Sequence, residues 1–175
     1  LSGQSNTVTP MTDSPCVAST ICETSFESSY DCWTAFTYTG GASIVRTNNP
    51  GCSFQAYQGT KVVKVQYAGG LELLNNDFTG KTSIDISFWH TGYYAQNSNS
   101  CSRIESNDIN IQVSTNGISW TTVDSFTSDG SWQNASTTID GSYMTANISI
   151  RILCIGSSNK NYILLDSTRI DVNCD

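Results

Sequence analysis

One histidine limits the catalytic chemistry that this 175-residue chain could perform. His90 follows the apolar strand pattern of 83–89, a position where a structural role is more common than a catalytic one. The sequence contains no G-x-S-x-G, no H-E-x-x-H and no glycine-rich phosphate loop. Paired carboxylates for glycoside hydrolysis stay open, because their pairing is spatial. We predict that the protein is not an enzyme.

Aromatic residues next to a long polar segment suggest a second chemistry, the binding of sugars. Such binding needs exposed aromatic rings that stack on pyranose rings, with amide or carboxylate partners. Tyr93 and Tyr94 are adjacent, so one of them points outward if the segment is extended. We predict this pair as ligand-binding residues. Further candidates are Asn97, Asn99, Trp120 and Trp132, although a tryptophan in a strand pattern is more often part of the core.

The cysteines favour disulfides over a metal site. The seven cysteines form no C-x-x-C pair, and a single histidine accompanies them. Disulfides imply an oxidising compartment. Because the count is odd, at least one thiol is either free and buried or bonded to another chain. The cysteines are Cys16, Cys22, Cys32, Cys52, Cys101, Cys154 and Cys174.

Two N-glycosylation sequons agree with secretion. They begin at Asn134, in Asn134-Ala135-Ser136, and at Asn147, in Asn147-Ile148-Ser149. Sequons of this kind are also common by chance. We predict a secreted, extracellular glycoprotein.

Charge and hydropathy argue against two classes of partner. Net charge is −7, and the chain contains only 8 lysines and arginines. Nucleic acid binding depends on such cations neutralising phosphates, so we expect no nucleic acid partner. No run of 18 apolar residues is present, and we expect no membrane insertion.

Alternating apolar residues predict an all-β protein. Period-two patterns occupy 61–67, 83–89, 108–115 and 147–154, each placing its apolar residues on one face. Asn116-Gly117 lies between two such runs and favours a hairpin with a type I′ turn. About ten short strands with this spacing predict a β-sandwich. We place an extended arm or linker at 1–20 and one sandwich domain at 21–175.

Several short motifs resemble those of a MAM domain. Cys22-Glu23-Thr24-Ser25-Phe26-Glu27 followed by Cys32-Trp33 is similar to the opening of that family. The segments 59–65 and 84–90 resemble its next strands, Trp132 resembles a tryptophan before a later strand, and 163–170 resembles its closing strand. Carbohydrate-binding jelly rolls share part of this pattern.

The resemblance implies a two-sheet antiparallel jelly roll that works in extracellular adhesion or assembly. It also implies a Cys22–Cys32 disulfide. The other pairs do not follow from spacing; Cys101–Cys154 is a second choice, and Cys16–Cys174 would join the two ends of the domain.

A calcium site is the metal chemistry that we consider. Asp166 shares its parity with Leu164 and Ile170, so a regular strand would point its carboxylate toward the core. A buried carboxylate must be paired, hydrogen-bonded or metal-bound. Glu27 and Asp31 lie near the first strand, which neighbours the last strand in many jelly rolls. We predict Glu27, Asp31 and Asp166 as ligands of a structural Ca²⁺; the alternative is an aspartate that caps backbone N–H groups.

Two functions remain at the level of sequence. The first is a non-enzymatic adhesion or self-assembly module, such as the subunit of a filament or coat, whose partners are other protein chains or copies of itself. The odd cysteine, the polar arm and sheet edges with few lysines favour it. The alternative is a carbohydrate-binding, lectin-like module whose partners are glycans.

Overall fold

The computed structural model describes residues 16–38, 40–95, 101 and 107–174, and these form a β-sandwich. Of the arm predicted at 1–20, residues 1–15 lie outside the described residues, and the first strand already begins at Ser19. The strands are β1 Ser19–Thr24, β2 Thr34–Thr37, β3 Ser43–Thr47, β4 Val62–Gln66, β5 Ala68–Asn76, β6 Ser83–Tyr94, β7 Asn107–Ser114, β8 Thr121–Ser128, β9 Gln133–Asp140, β10 Ile148–Ile155 and β11 Asn161–Asn173. One short 3₁₀ helix, Gly141–Tyr143, precedes β10.

Two antiparallel sheets face each other, which confirms the predicted fold class. The six-stranded sheet has the order β3-β4-β11-β6-β9, and β1 pairs with β11 beside this path. The five-stranded sheet has the order β2-β5-β10-β7-β8. No helix in the described part is both long and apolar enough to cross a membrane.

The core lies between the sheets and consists of the apolar faces that the sequence predicts. β6 contributes Ile84, Ile86 and Phe88, and all three are fully buried. The isoleucines of β7 and β10 meet them from the other sheet. Alternation of this kind buries one face of each strand and leaves the other free.

The predicted hairpin is confirmed, but its turn differs from the prediction. β7 pairs with β8 from Asn107 with Ser128 to Val113 with Thr121. Gly117 has a φ of 70°, whereas Asn116 is not among the residues with positive φ, so a type I′ turn is wrong. The Asn116 side chain instead accepts hydrogen bonds from the backbone N–H groups of Ile118 and Ser119, at 2.9 and 2.8 Å.

Three disulfides join six of the seven cysteines. Cys22 is bonded to Cys32, as the resemblance implies, and Cys16 is bonded to Cys174. The predicted Cys101–Cys154 bond is wrong, because Cys101 is bonded to Cys52. Cys154 has the same parity as the isoleucines of β10, so it faces the core and is fully buried as a free thiol.

The burial of Cys154 decides between the two fates of the odd cysteine. Burial raises the pKa of its thiol, so the reactive thiolate is disfavoured. We expect no reaction with a thiol reagent in the native protein and one reactive thiol per chain after denaturation without reductant. Titration with a chromogenic disulfide reagent, with and without guanidinium, measures both. A reductant-sensitive dimer on a denaturing gel would contradict this assignment.

The residues 48–61, here called the cover loop, pack on the outer face of the six-stranded sheet. They shield a second apolar cluster made by Val62, Tyr93 and Leu164, against which Phe54 and Cys52 pack. Tyr93 is stacked between Phe54 and Tyr162, with ring centroids 5.3 and 5.0 Å away. Part of the outer face of this sheet is therefore buried beneath the cover loop.

His90 lies on the inner face of β6 and is 2% exposed. Its Nδ1 atom is 2.7 Å from the hydroxyl oxygen of Ser128. Burial lowers the pKa of His90 to about 4, although the charge of Asp129 opposes this shift. The imidazole is therefore neutral in the fold at neutral pH and has a structural place in the core.

Acid should weaken the contribution of His90 to stability. Between pH 6.5 and 4 the unfolded imidazole binds a proton that the folded one does not, so the free energy of unfolding falls as pH falls. Asp166, whose pKa is raised to about 6, titrates in the opposite sense. We therefore measure the effect of His90 as the difference in the free energy of unfolding between the wild type and His90→Gln.

The expected change in that difference between pH 7 and pH 4.5 is about 2–3 kcal/mol, since one pKa unit corresponds to about 1.4 kcal/mol. Urea unfolding at the two pH values measures it. An unchanged difference would mean that the buried ring does not couple to protons.

Candidate functional site

The outer face of the five-stranded sheet carries a row of polar side chains at its centre. In register across β2, β5, β10, β7 and β8, the row reads Thr34, Glu72, Arg151, Gln112 and Thr122. The apolar neighbours of Arg151 in β10 point to the core, so parity places its side chain outside. A charged residue thus lies at the centre of a strand whose other residues, apart from Ser149, are apolar.

Aromatic rings from the two edges of the sheet lie around Arg151 on its outer face. Its guanidinium carbon is 4.0 Å from the ring centroid of Trp120, 5.4 Å from that of Phe36 and 5.6 Å from that of Tyr38. Cations bind ring faces at such distances through the quadrupole of the ring. Burial among the rings lowers the pKa of Arg151 from its usual value, and the guanidinium stays charged at neutral pH.

Arg151 and Glu72 both have polar atoms that make no hydrogen bond within the described ranges. Arg151 Nε donates to Gln112 Oε1 at 2.7 Å, which fixes the plane of the guanidinium. Within the described ranges, neither its two terminal nitrogens nor the Glu72 carboxylate has a hydrogen-bond partner. Burial raises the pKa of Glu72, and the charge of Arg151 opposes this rise. A donor fork and an acceptor therefore stand side by side without partners of their own.

Next to this polar row, position 70 is a glycine, so no side chain projects from the sheet there. Gly70 pairs with Phe36 on one side and with Leu153 on the other. A Cβ atom at Gly70 would collide with the Ile152 carbonyl oxygen, so the backbone excludes a side chain there. We name the surface made by Phe36, Tyr38, Glu72, Gln112, Trp120 and Arg151 the open face.

The predicted ligand-binding residues lie elsewhere. Tyr93 points away from the core, as one of the pair must, but it is 1% exposed under the cover loop, and its hydroxyl donates to the Pro50 carbonyl oxygen. It therefore has no ring face free for a ligand. Tyr94 is half-buried at the end of β6, and Asn97 and Asn99 lie outside the described residues.

Of the two tryptophan candidates, one belongs to the open face. Trp120 packs on Arg151, whereas Trp132 lies at the cover loop and donates from Nε1 to the Gln55 carbonyl oxygen at 3.2 Å. The sequence analysis missed Arg151, Glu72, Phe36 and Tyr38. A signal for Arg151 was present, because it is the only charged residue in the segment 148–155.

The three predicted calcium ligands each bind protein groups. Glu27 accepts hydrogen bonds from the backbone N–H groups of Thr60 and Lys61, both at 2.8 Å, and these lower its pKa. Asp31 lies apart and accepts from the hydroxyls of Thr24 and Ser29. No group of three or more metal-ligating side chains occurs in the described part of the chain.

Asp166 is fully buried, but on the side of the sheet opposite to the one predicted. A bulge at Asp166 and Ser167, where Ser167 has a φ of 46°, reverses the parity of β11. The carboxylate therefore lies beneath the cover loop and accepts from the backbone N–H of Gln58 at 2.9 Å. Burial raises the pKa of Asp166 to about 6 against the effect of its hydrogen bonds, and the Glu27 charge adds to the rise.

Calcium binding stays a prediction, and thermal unfolding tests it. If Glu27 and Asp166 hold Ca²⁺ beneath the cover loop, millimolar Ca²⁺ should raise the Tm over that in EDTA, because a ligand of the native state stabilises it. The Glu27→Gln variant should lose this rise, and Asp124→Asn, a carboxylate of the other sheet, should keep it. Equal Tm values in Ca²⁺ and EDTA would leave backbone capping as the role of both carboxylates.

The comparisons with known proteins concern the fold. No protein-family model and no curated protein sequence matches this chain. Solved structures do match. The CBM22-1 xylan-binding domain from Paenibacillus barcinonensis Xyn10C aligns with a TM-score of 0.65 and 19% identity, over 93% of this chain and 99% of that one.

Two further solved structures, of different kinds of protein, also align with this chain. TmCBM61, solved in complex with β-1,4-galactotriose, aligns with a TM-score of 0.51 and 18% identity, over 81% of this chain and 88% of that one. A cyclase from Fischerella sp. TAU aligns with a TM-score of 0.59 and 11% identity, over 91% of this chain and 100% of that one.

The chain has the β-sandwich fold of carbohydrate-binding modules. At these identities the likeness establishes the fold alone. It supports the broad class that the sequence analysis named, whereas membership of the narrower MAM family stays a prediction.

Proposed function

We propose that this protein is an extracellular, non-enzymatic carbohydrate-binding module and that the open face holds the saccharide. The observation that carries the proposal is the pair of Arg151 and Glu72, adjacent in register and with hydrogen-bonding capacity to spare. Three aromatic rings lie within 5.6 Å of the Arg151 guanidinium carbon. Sites for small ligands combine apolar walls with a few convergent polar groups in this way.

The two charged groups match the chemistry of neighbouring hydroxyls on a sugar. The terminal nitrogens of Arg151 donate to hydroxyl oxygens, and the Glu72 carboxylate accepts from hydroxyl hydrogens. A planar guanidinium presents its donors in a fixed fork, which suits two adjacent oxygens better than a lysine would. Charge-assisted hydrogen bonds of this kind are stronger than those between neutral groups.

The neighbours of Arg151 hold its side chain in one conformation before a ligand binds. Gln112 and the Trp120 ring hold the guanidinium before a ligand arrives, so little side-chain entropy remains to be lost. Tyr38, which is 57% exposed, offers the most accessible ring for the apolar side of a pyranose. Burial of both sugar and ring surface then adds the hydrophobic contribution.

Other observations favour a binding module over the alternatives. Two similar structures are a xylan-binding domain and a module in complex with β-1,4-galactotriose. The odd cysteine, one of the features that favoured covalent assembly, is buried in the core. His90 is neutral and enclosed, which does not suit a catalytic base. Three disulfides agree with an oxidising, extracellular setting.

Removal of the Arg151 or Trp120 side chain should weaken saccharide binding strongly. We expect Arg151→Ala and Trp120→Ala to lower affinity at least tenfold, about 1.4 kcal/mol, because central aromatic and arginine residues dominate such surfaces. Arg151→Lys should restore little of the lost affinity, since a lysine lacks the planar fork of donors that the guanidinium presents. Affinity electrophoresis in gels containing xylan, β-1,4-galactan or β-glucan finds the ligand, and calorimetry with its oligosaccharides gives the affinity.

The matched control is Arg169→Ala, which removes an arginine from the outer face of the six-stranded sheet. Its affinity should equal that of the wild type. The proposal fails if Arg169→Ala weakens binding while Arg151→Ala does not, or if no polysaccharide of a broad panel retards the protein.

A further inference from the structure

A second surface feature lies on the opposite side of the sandwich. A cleft of about 290 Å³ opens on the outer face of the six-stranded sheet, between β1, β11, β6 and β9. Ser25, Gln58, Ser87, Trp89 and Asn134 contribute to its lining. It combines hydroxyl and amide groups with an aromatic ring and with the charged side chains of Glu23 and Arg169, and we call it the Asn134 cleft.

Asn134 belongs to a sequon whose two functional residues both face this cleft side. In β9, the edge strand of the sheet, Asn134 pairs with Trp89 and Ser136 pairs with Ser87. Both Asn134 and Ser136 are exposed. Neither side chain hydrogen-bonds to any residue that the structure describes, so the amide nitrogen of Asn134 is accessible.

Trp89, the aromatic residue that lines the cleft, lies directly across the strand pair from Asn134, and a second ring stacks on it. Tyr57 of the cover loop stacks on Trp89, with ring centroids 3.7 Å apart and an angle of 14° between the rings. Tyr57 remains 45% exposed, and Trp89 is half-buried. An apolar surface of this kind, directly across the strand pair from an asparagine, lies within reach of the first sugar attached to it.

The second sequon lacks this setting. Asn147 is exposed, but Ser149 is 1% exposed, and its hydroxyl oxygen accepts from the Asn75 backbone N–H at 3.1 Å. Asn147 does not line the Asn134 cleft. The two sequons are thus alike in sequence and differ in what surrounds them.

We propose that Asn134 is N-glycosylated and that its first N-acetylglucosamine lies in the Asn134 cleft against Trp89 and Tyr57. In the transfer step, the amide nitrogen of Asn134 bonds to the anomeric carbon of an oligosaccharide on a polyprenyl diphosphate. The bond between that carbon and the diphosphate oxygen breaks, the polyprenyl diphosphate leaves with the electron pair, and the nitrogen loses one proton.

The glycan then takes part in the fold. The apolar side of the sugar covers the aromatic surface. The hydroxyls of Ser25 and Ser87 are available to its polar groups, as is the amide nitrogen of Gln58, whose oxygen already accepts from the Ser167 hydroxyl. Because Tyr57 belongs to the cover loop, the sugar also holds that loop on the sheet. The open face, on the other sheet, stays free of this glycan.

The experiment compares variants of the full chain secreted from eukaryotic cells. Glycopeptide mapping by mass spectrometry should find Asn134 occupied. Asn134→Gln and Ser136→Ala should each lose the mass of that glycan and lower the Tm by about 2–4 °C, a shift typical of losing one modest contact in a chain of this size. Asn147→Gln, the matched sequon control, should leave the Tm unchanged.

Two further measurements separate the sugar from the side chain. Trimming by an endoglycosidase that leaves only the first N-acetylglucosamine should preserve the Tm, and Asn134→Gln in unglycosylated bacterial protein should not change it. The proposal is overturned if Asn134 is unmodified in the secreted protein, if trimming lowers the Tm as much as Asn134→Gln, or if that variant lowers the Tm equally in the bacterial protein.

Discussion

The structure depends on a bulge in the middle of β11. Before the bulge, the strand pairs with β4; after it, the same edge pairs with β1, while β6 follows the other edge along almost the whole length. At the bulge the inward and outward sides exchange. Leu164 and Asp166 therefore face the cover loop, whereas Ile170 and Val172 face the core. One strand thus lines two separate interiors.

Two carboxylates secure the loop that closes the smaller interior. Asp166 accepts from the backbone at Gln58, and Glu27 accepts from the backbone at Thr60 and Lys61. Gly59 lies between these points with a φ of 70°, and a Cβ atom there would collide with the Glu27 carboxylate. Because these three backbone N–H groups have acceptors, this end of the loop can lie against the sheet, and the loop buries Tyr93.

The two outer surfaces consequently differ in what they offer to a partner. The six-stranded sheet is partly covered, and its arginine Arg169 pairs with Asp171 at 2.7 Å and with Glu23 at 3.4 Å. The five-stranded sheet has no such cover among the described residues, and at its centre Arg151 and Glu72 keep free donors and acceptors. A surface that holds unused hydrogen-bonding groups among aromatic rings is suited to recognition.

Local patterns in the sequence are enough to predict the fold class, the buried faces of β6, β7 and β10, and the β7–β8 hairpin. These follow from the alternation of apolar residues along each strand and from the residues of the turn, which need no knowledge of distant residues. Tertiary structure decided the rest. The Cys52–Cys101 bond, the cover of Tyr93 and the position of Asp166 beneath the cover loop each join groups that lie far apart in sequence. The open face likewise exists only because β2, β5, β10, β7 and β8 lie in register, so that Arg151, Glu72, Trp120 and Phe36 converge from separate strands.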